Sequence, residues 1–202
     1  MTVENRKESV PFAHYVQRFS RMNPEKAAGR LGIRWDGKEF YVNLFGKELA
    51  ISHPDYAIRS IAGGEIPSVT AQTLLLRYLL ESHDAAWLGT WKTFREMPWG
   101  ETYWKSFSGR ILSRAAFAFG GRLEAFRAAA EKMGAEPVPH GDAGYCFPLL
   151  GSCRMQLLLW EGDEDFPPSA QILYSDNCGA AFTAEDRVVA AELLIGAIRN
   201  HM

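Results

Sequence analysis

The chain has 202 residues, 47% of them hydrophobic and 23% charged, with a formal net charge of -2. That is enough apolar material for one substantial core, and it excludes a disordered chain or one attracted to nucleic acid by net charge. Apolar runs such as Leu157 to Trp160 or the Leu74 to Leu80 segment interrupted by Arg77 are far too short for a bilayer span.

Pro11 to Met22 carries Phe12, Tyr15, Val16 and Phe19 at helical spacing. A second short helix follows, with Asn23 as its cap, Pro24 in its first turn and Gly32 at its end. These form an expected amino-terminal helical segment, 1–31, ahead of a single α+β domain, 32–202. The opening MTVENRKESVPF lacks the continuous apolar core of a signal peptide, so a cytoplasmic location is expected.

From Gly32 to Ser52 the apolar period becomes two. Asp36-Gly37 and Gly46-Lys47 mark reversals, which predicts a three-stranded meander; because Tyr41 and Phe45 make the face opposite Phe40, Val42 and Leu44 apolar too, its middle strand is expected to be covered on both sides. His53 to Pro67 reads as a loop. Ser68 or Thr70 caps a helix with Leu74, Leu75, Tyr78 and Leu79 on its apolar stripe and Arg77 and Glu81 off it.

Lys92 to Arg95 is expected as a short strand and Pro98-Trp99-Gly100 as a turn. Glu101 to Phe119 and Arg122 to Met133 read as helices broken at Gly120-Gly121. Tyr145 to Leu149 is expected as an edge strand interrupted by Pro148. Met155 to Trp160 and Ala170 to Tyr174 then form a hairpin whose turn holds Glu161, Asp163, Glu164 and Asp165 and closes with two prolines. Thr183 and Asp186 have capping-box spacing ahead of a helix on Val188, Ala191, Ile195 and Ile198. The expected architecture is one antiparallel sheet built from the early meander and the late hairpin, with helices inserted between and a carboxyl-terminal helix packed on the sheet.

The acidic turn is the leading candidate for chemistry. Asp163 and Asp165 could offer oxygens to a hard cation, although the calcium-loop pattern is missing and solvation of the turn is the simpler reading. Cys146, Cys153 and Cys178 form no knuckle, and with His140 as a fourth ligand they make a poor zinc set, so small buried side chains are the better assignment. Trp87, Trp91, Trp99 and Trp104 crowd one region. Together with Trp160 they could line a site for a flat apolar cofactor, the competing reading being ordinary core packing. No phosphate loop, dinucleotide fingerprint or nucleophile elbow is present.

The stretches YVNLFGKELAIS, WKTFREMPWGETYW and LLLWEGDEDFPPSAQILYSDN followed by TAED resemble a bacterial and archaeal family catalogued only as a domain of unknown function. The resemblance implies a setting in anaerobic metabolism, since some relatives add a cysteine-rich iron–sulfur segment similar to that of corrinoid proteins. This chain has no cysteine before Cys146. The function expected from residues and resemblance together is a non-catalytic accessory protein. It binds a small molecule or a corrinoid or other tetrapyrrole through Trp160, Asp163, Trp99, Trp104 and His140, with a small molecule or a protein as partner and neither nucleic acid nor membrane. The alternatives are a metal-dependent hydrolase, with Asp163 and Asp165 as ligands and Glu164 or His140 moving the proton, and a structural subunit.

Overall fold

In a computed structural model the protein is α+β, and the structure describes residues 6–202. Most of the opening MTVENR stretch therefore lies outside the described residues. Helix α1 (Arg6–Arg21) lies on α3 (Val69–Glu81) and buries Phe19 against Phe40, Tyr56 and the His53 ring. Helix α2 (Pro24–Leu31) starts as its sequence dictates: the Asn23 side chain accepts the Lys26 amide at 2.9 Å, and Gly32 ends it in the left-handed region.

The meander forms as β1 (Arg34–Trp35), β2 (Glu39–Leu44) and β3 (Lys47–Ser52). Phe45 and Gly46 both have positive φ, the conformation that a tight two-residue hairpin turn requires. The expectation of a doubly covered β2 is corrected: Phe40, Val42 and Leu44 are buried, but Asn43 is exposed and Tyr41 half-buried, its hydroxyl donating to Asp36. The loop after Ser52 contributes a further strand, β4 (Ile58–Ser60), paired with β3.

The meander and the hairpin do not share a sheet. Strands β1 to β4 form one sheet in chain order, while the second runs β5 (Trp91–Thr93), β9 (Ser169–Ser175), β8 (Arg154–Trp160), β7 (Ala143–Pro148) and β6 (Glu136–Pro137). The reason is a matter of edges. The outer side of β9 is taken by β5 and that of β7 by β6, so the hairpin's partners come from nearby chain, and a Phe45 amide to Leu149 carbonyl bond links the two sheets. Two local expectations shift accordingly. The strand expected at Lys92 to Arg95 is Trp91–Thr93 followed by a 3-10 turn at Phe94–Glu96, and the expected edge strand at Tyr145 to Leu149 is the inner strand β7. Met155 to Leu159 is buried without interruption, as a strand covered on both faces must be.

One continuous helix runs from Gly100 to Phe119: α4 (Gly100–Phe107), a π turn at Ser108–Leu112 and α5 (Ser113–Phe119). It stops at Gly120, where the ring of Pro168 occupies the space a Cβ would need, so the helix end locks against the hairpin. Helix α6 (Leu123–Lys132) follows. After β9 come the single turn α7 (Cys178–Ala181) and the long α8 (Ala184–His201). Helix α8 packs on α3, α4 and α6 and meets the second sheet where the Tyr174 hydroxyl donates to the Arg187 carbonyl at 2.9 Å. No described helix is long and apolar enough to cross a membrane.

Candidate functional site

The second sheet has two ends, and the residues singled out from sequence are divided between them. At one end β8 runs into the acidic turn. There Oδ1 of Asp163 accepts the amides of Asp165 (2.9 Å) and Phe166 (2.7 Å), and the Asp163 amide donates to the Phe166 carbonyl. The carboxylate thus closes its own turn, as aspartate does in such loops. The Asp165 and Glu164 side chains point out to solvent. His140 is exposed in the neighbouring loop, which is tied on by the Glu161 amide donating to Asp142 at 2.8 Å. Trp160 is 37% exposed on this rim.

Trp99 lies at the opposite end. Because Trp91 pairs with Ser175 while Trp160 pairs with Ser169, six strand steps, roughly 20 Å, separate the two ends. Trp104 is half-buried on α4, tilted beside Phe107 and under the Arg95 guanidinium, so it serves packing. The aromatic wall expected from sequence is therefore not brought together with Trp160 and Asp163.

The thiols are all buried and unpaired by disulfide. The neighbouring Cys178 thiol together with burial pushes the Cys153 thiol up, while Cys178 Sγ lies 3.4 Å from Ser175 Oγ and 3.7 Å from the Arg154 carbonyl. His140 does not join them, and among the described residues no group of three metal-ligating side chains occurs.

The Trp99 end carries a cleft of about 250 Å³ that chain proximity could not suggest. Its walls are the carboxyl end of α3, the Pro98-Trp99 corner, α7 and the first turn of α8. The capping box sets the α8 wall: Thr183 Oγ1 accepts the Asp186 amide (3.2 Å), and Asp186 Oδ2 accepts the Thr183 amide (3.0 Å). Arg77 then holds Asp186 with two nitrogens, at 2.7 Å from Nε and 3.1 Å from Nη2, while its Nη1 donates to the Tyr15 hydroxyl. The Ala184 and Glu185 amides, at the start of α8, make no hydrogen bond among the described residues.

Arg187 forms the cleft floor. It is 0% exposed; Nη1 donates to the Phe182 carbonyl at 2.6 Å, Nη2 donates to the Pro98 carbonyl, and Nε has no partner. Its guanidinium carbon lies 5.7 Å from the Phe94 ring centroid. Burial pulls its pKa down, yet guanidinium stays charged near neutrality. Among the described residues no carboxylate lies within ion-pair distance of it, unlike Arg77. Buried cations are ordinarily paired, so Arg187 makes the floor an uncompensated positive charge. Burial raises the Tyr78 phenol, so it stays neutral behind the cleft, where it stacks on Phe182.

At the lip, Trp99 is 74% exposed and adopts φ 63°, ψ 3°, a left-handed conformation uncommon for a bulky residue. The corner is fixed on both sides. A Cβ on Gly100 would overlap the Phe94 carbonyl, and a Cβ on Gly179 would sit 3.3 Å from Met97 Sδ and 3.4 Å from Pro98 Cδ.

Neither arginine was singled out from sequence, because the site joins residues 77–82, 98–99 and 179–187. One signal existed for Arg187. It lies four residues before Ala191 and seven before Leu194, on the apolar stripe of α8, where a cation needs a reason.

No curated protein and no solved structure matches the chain. Residues 23–197 match one family over most of the chain's length, and the protein belongs to that family, a domain of unknown function (DUF3786).

Proposed function

We propose that the protein is a non-catalytic binding protein for a small anionic molecule held in the cleft between the Pro98-Trp99 corner, α7 and the start of α8. The observation that carries this reading is Arg187, a buried guanidinium without a carboxylate at the base of an open cleft. The polar groups around it are occupied in holding structure: Ser82 Oγ donates to the Ala181 carbonyl, and Thr183, Asp186 and Arg77 hold one another. What remains free is a positive floor and two helix-start amides, the arrangement that favours an anion. The volume supports the small-molecule form of the expectation over the tetrapyrrole form, because about 250 Å³ falls below the ~300–1,000 Å³ of sites for drug-sized ligands.

The test is thermal unfolding in a panel of small carboxylates and phosphate, set against their neutral isosteres. Anions should raise the melting temperature where isosteres do not, and Ala180→Glu, which places a negative charge on the exposed side of α7, should reduce the effect. Equal stabilisation by the neutral compounds would contradict the reading.

A further inference from the structure

Resting on the anion-binding reading above, we infer that the ligand is a monocarboxylate with a flat, unsaturated body. Its carboxylate sits at the Ala184 and Glu185 amides over Arg187, and its body lies against the Trp99 indole.

Charge decides against a dianion. The ions lining the cleft are Arg77 and Arg187 against Glu81 and Asp186; both carboxylates are paired to other arginines, so among the described residues Arg187 is the lining cation with no carboxylate at ion-pair distance. A single negative charge balances it. A second would face Asp186 and Glu81, which line the same cleft, at a Coulombic cost that grows as water is excluded.

Geometry favours a carboxylate as the single charge. The Ala184 and Glu185 amides are two consecutive free donors, one for each oxygen of a planar group, and the buried Arg187 charge adds attraction without a direct bond. The walls beside them are Ala180, Ala181 and Ala184, whose small side chains leave the volume open.

The third element is Trp99. A left-handed backbone costs a side-chain-bearing residue roughly 1–2 kcal/mol, and glycine at this corner would carry none of it. The indole gains little from burial, because most of it faces water. Strain of this kind, over-determined by the Gly100 and Pro98 contacts, is stored where a side chain is presented to a ligand. A flat π system can stack on the indole face, whereas a compact aliphatic acid leaves it unused.

The deciding experiment is calorimetric titration at low ionic strength with benzoate, acetate and inorganic phosphate, on the natural sequence and on Trp99→Ala and Ala180→Glu. Benzoate should bind about tenfold more tightly than acetate, as one stacked ring implies, and more tightly than phosphate at pH 8. Trp99→Ala should reduce benzoate to the acetate level. Ala180→Glu should weaken both carboxylates about fivefold, an expected size for one like charge at the edge of water. Phosphate or acetate equalling benzoate, or Trp99→Ala leaving benzoate unchanged while Ala180→Glu weakens it, would overturn the ligand class and leave the anion site standing. Carboxylates and phosphate all failing to bind, or binding untouched by Ala180→Glu, would overturn the site itself.

Discussion

The two ends of the five-stranded sheet differ in how their charges are satisfied. At the hairpin end four acids crowd into one turn, yet Asp163 spends its carboxylate on the amides of Asp165 and Phe166, and its acidic neighbours are solvated. At the α7–α8 end the charges are fewer and arrive from distant parts of the chain, and one of them, Arg187, has no opposite partner. The lesson is that a dense cluster of ionisable residues marks a site less well than a single charge left unbalanced by its surroundings. Local clusters can neutralise themselves through backbone bonds, whereas a buried cation without a counter-ion leaves an electrostatic requirement unmet.

Matched changes at the two ends sharpen this contrast. The largest effect is expected at the two fixed glycines. Gly100→Ala drives a Cβ into the Phe94 carbonyl and should cost about 3 kcal/mol or more in urea unfolding, since two backbone segments must separate. Gly162→Ala at the hairpin meets Pro168 Cδ and backbone N at 2.7 Å and the Phe166 carbonyl at 2.9 Å, looser overlaps than at Gly100 and within an exposed turn, and should cost less. If Gly162→Ala proved the more damaging, the hairpin would be the more rigid end.

Arg187→Met should come next. It leaves the Phe182 and Pro98 carbonyls without their donor, offset in part by removing a desolvated charge, for a net loss of about 2 kcal/mol. Carboxylate binding should disappear with it, measured on protein that remains folded by circular dichroism. Asp163→Ala should lose about 1 kcal/mol, because two amides lose their acceptor, and leave carboxylate affinity unchanged. Trp99→Gly should do the reverse, raising stability by up to about 1 kcal/mol through relief of the left-handed backbone while weakening the binding of aromatic acids. A stabilised variant with unaltered affinity would separate the strain from the site.

The smallest effect lies away from both ends. Asp36 accepts the Glu39 and Lys38 amides and the Tyr41 hydroxyl, which holds its carboxyl at about 2. Because the folded value lies below the usual carboxylate range, its contribution is complete above ~pH 4 and fades as pH falls through about 2. Carboxyl resonances followed by NMR against pH should show Asp36 titrating last in the β1–β2 turn. An ordinary carboxylate titration there would remove the assigned hydrogen bonds.

What was legible in the sequence was local. Caps at Asn23, Ser68 and Thr183, the capping box closed by Asp186 and the helix break at Gly120-Gly121 each depend on a few consecutive residues, and each forms as the spacing requires. The division into two sheets was not legible, because it turns on which strands fill the edges beside β9 and β7, and β5 and β6 have three and two residues. The cleft was less legible still. Arg77, Trp99 and Arg187 are brought together only by the packing of α3, α7 and α8 around the Pro98 corner, and the one sequence signal was a cation on the apolar stripe of α8. Trp160 and Trp99 looked like neighbours in chemistry, yet a strand's length lies between them.

The central claim, that the anion requirement sits at the start of α8 and not at the acidic hairpin, is tested most directly by residue-resolved amide NMR during titration with benzoate. The Ala184 and Glu185 amides and the Arg187 Nε–H should move furthest and saturate together, while the Asp165 and Phe166 amides stay in place. Shifts centred on residues 160–168, or saturation there with α8 unmoved, would contradict the account.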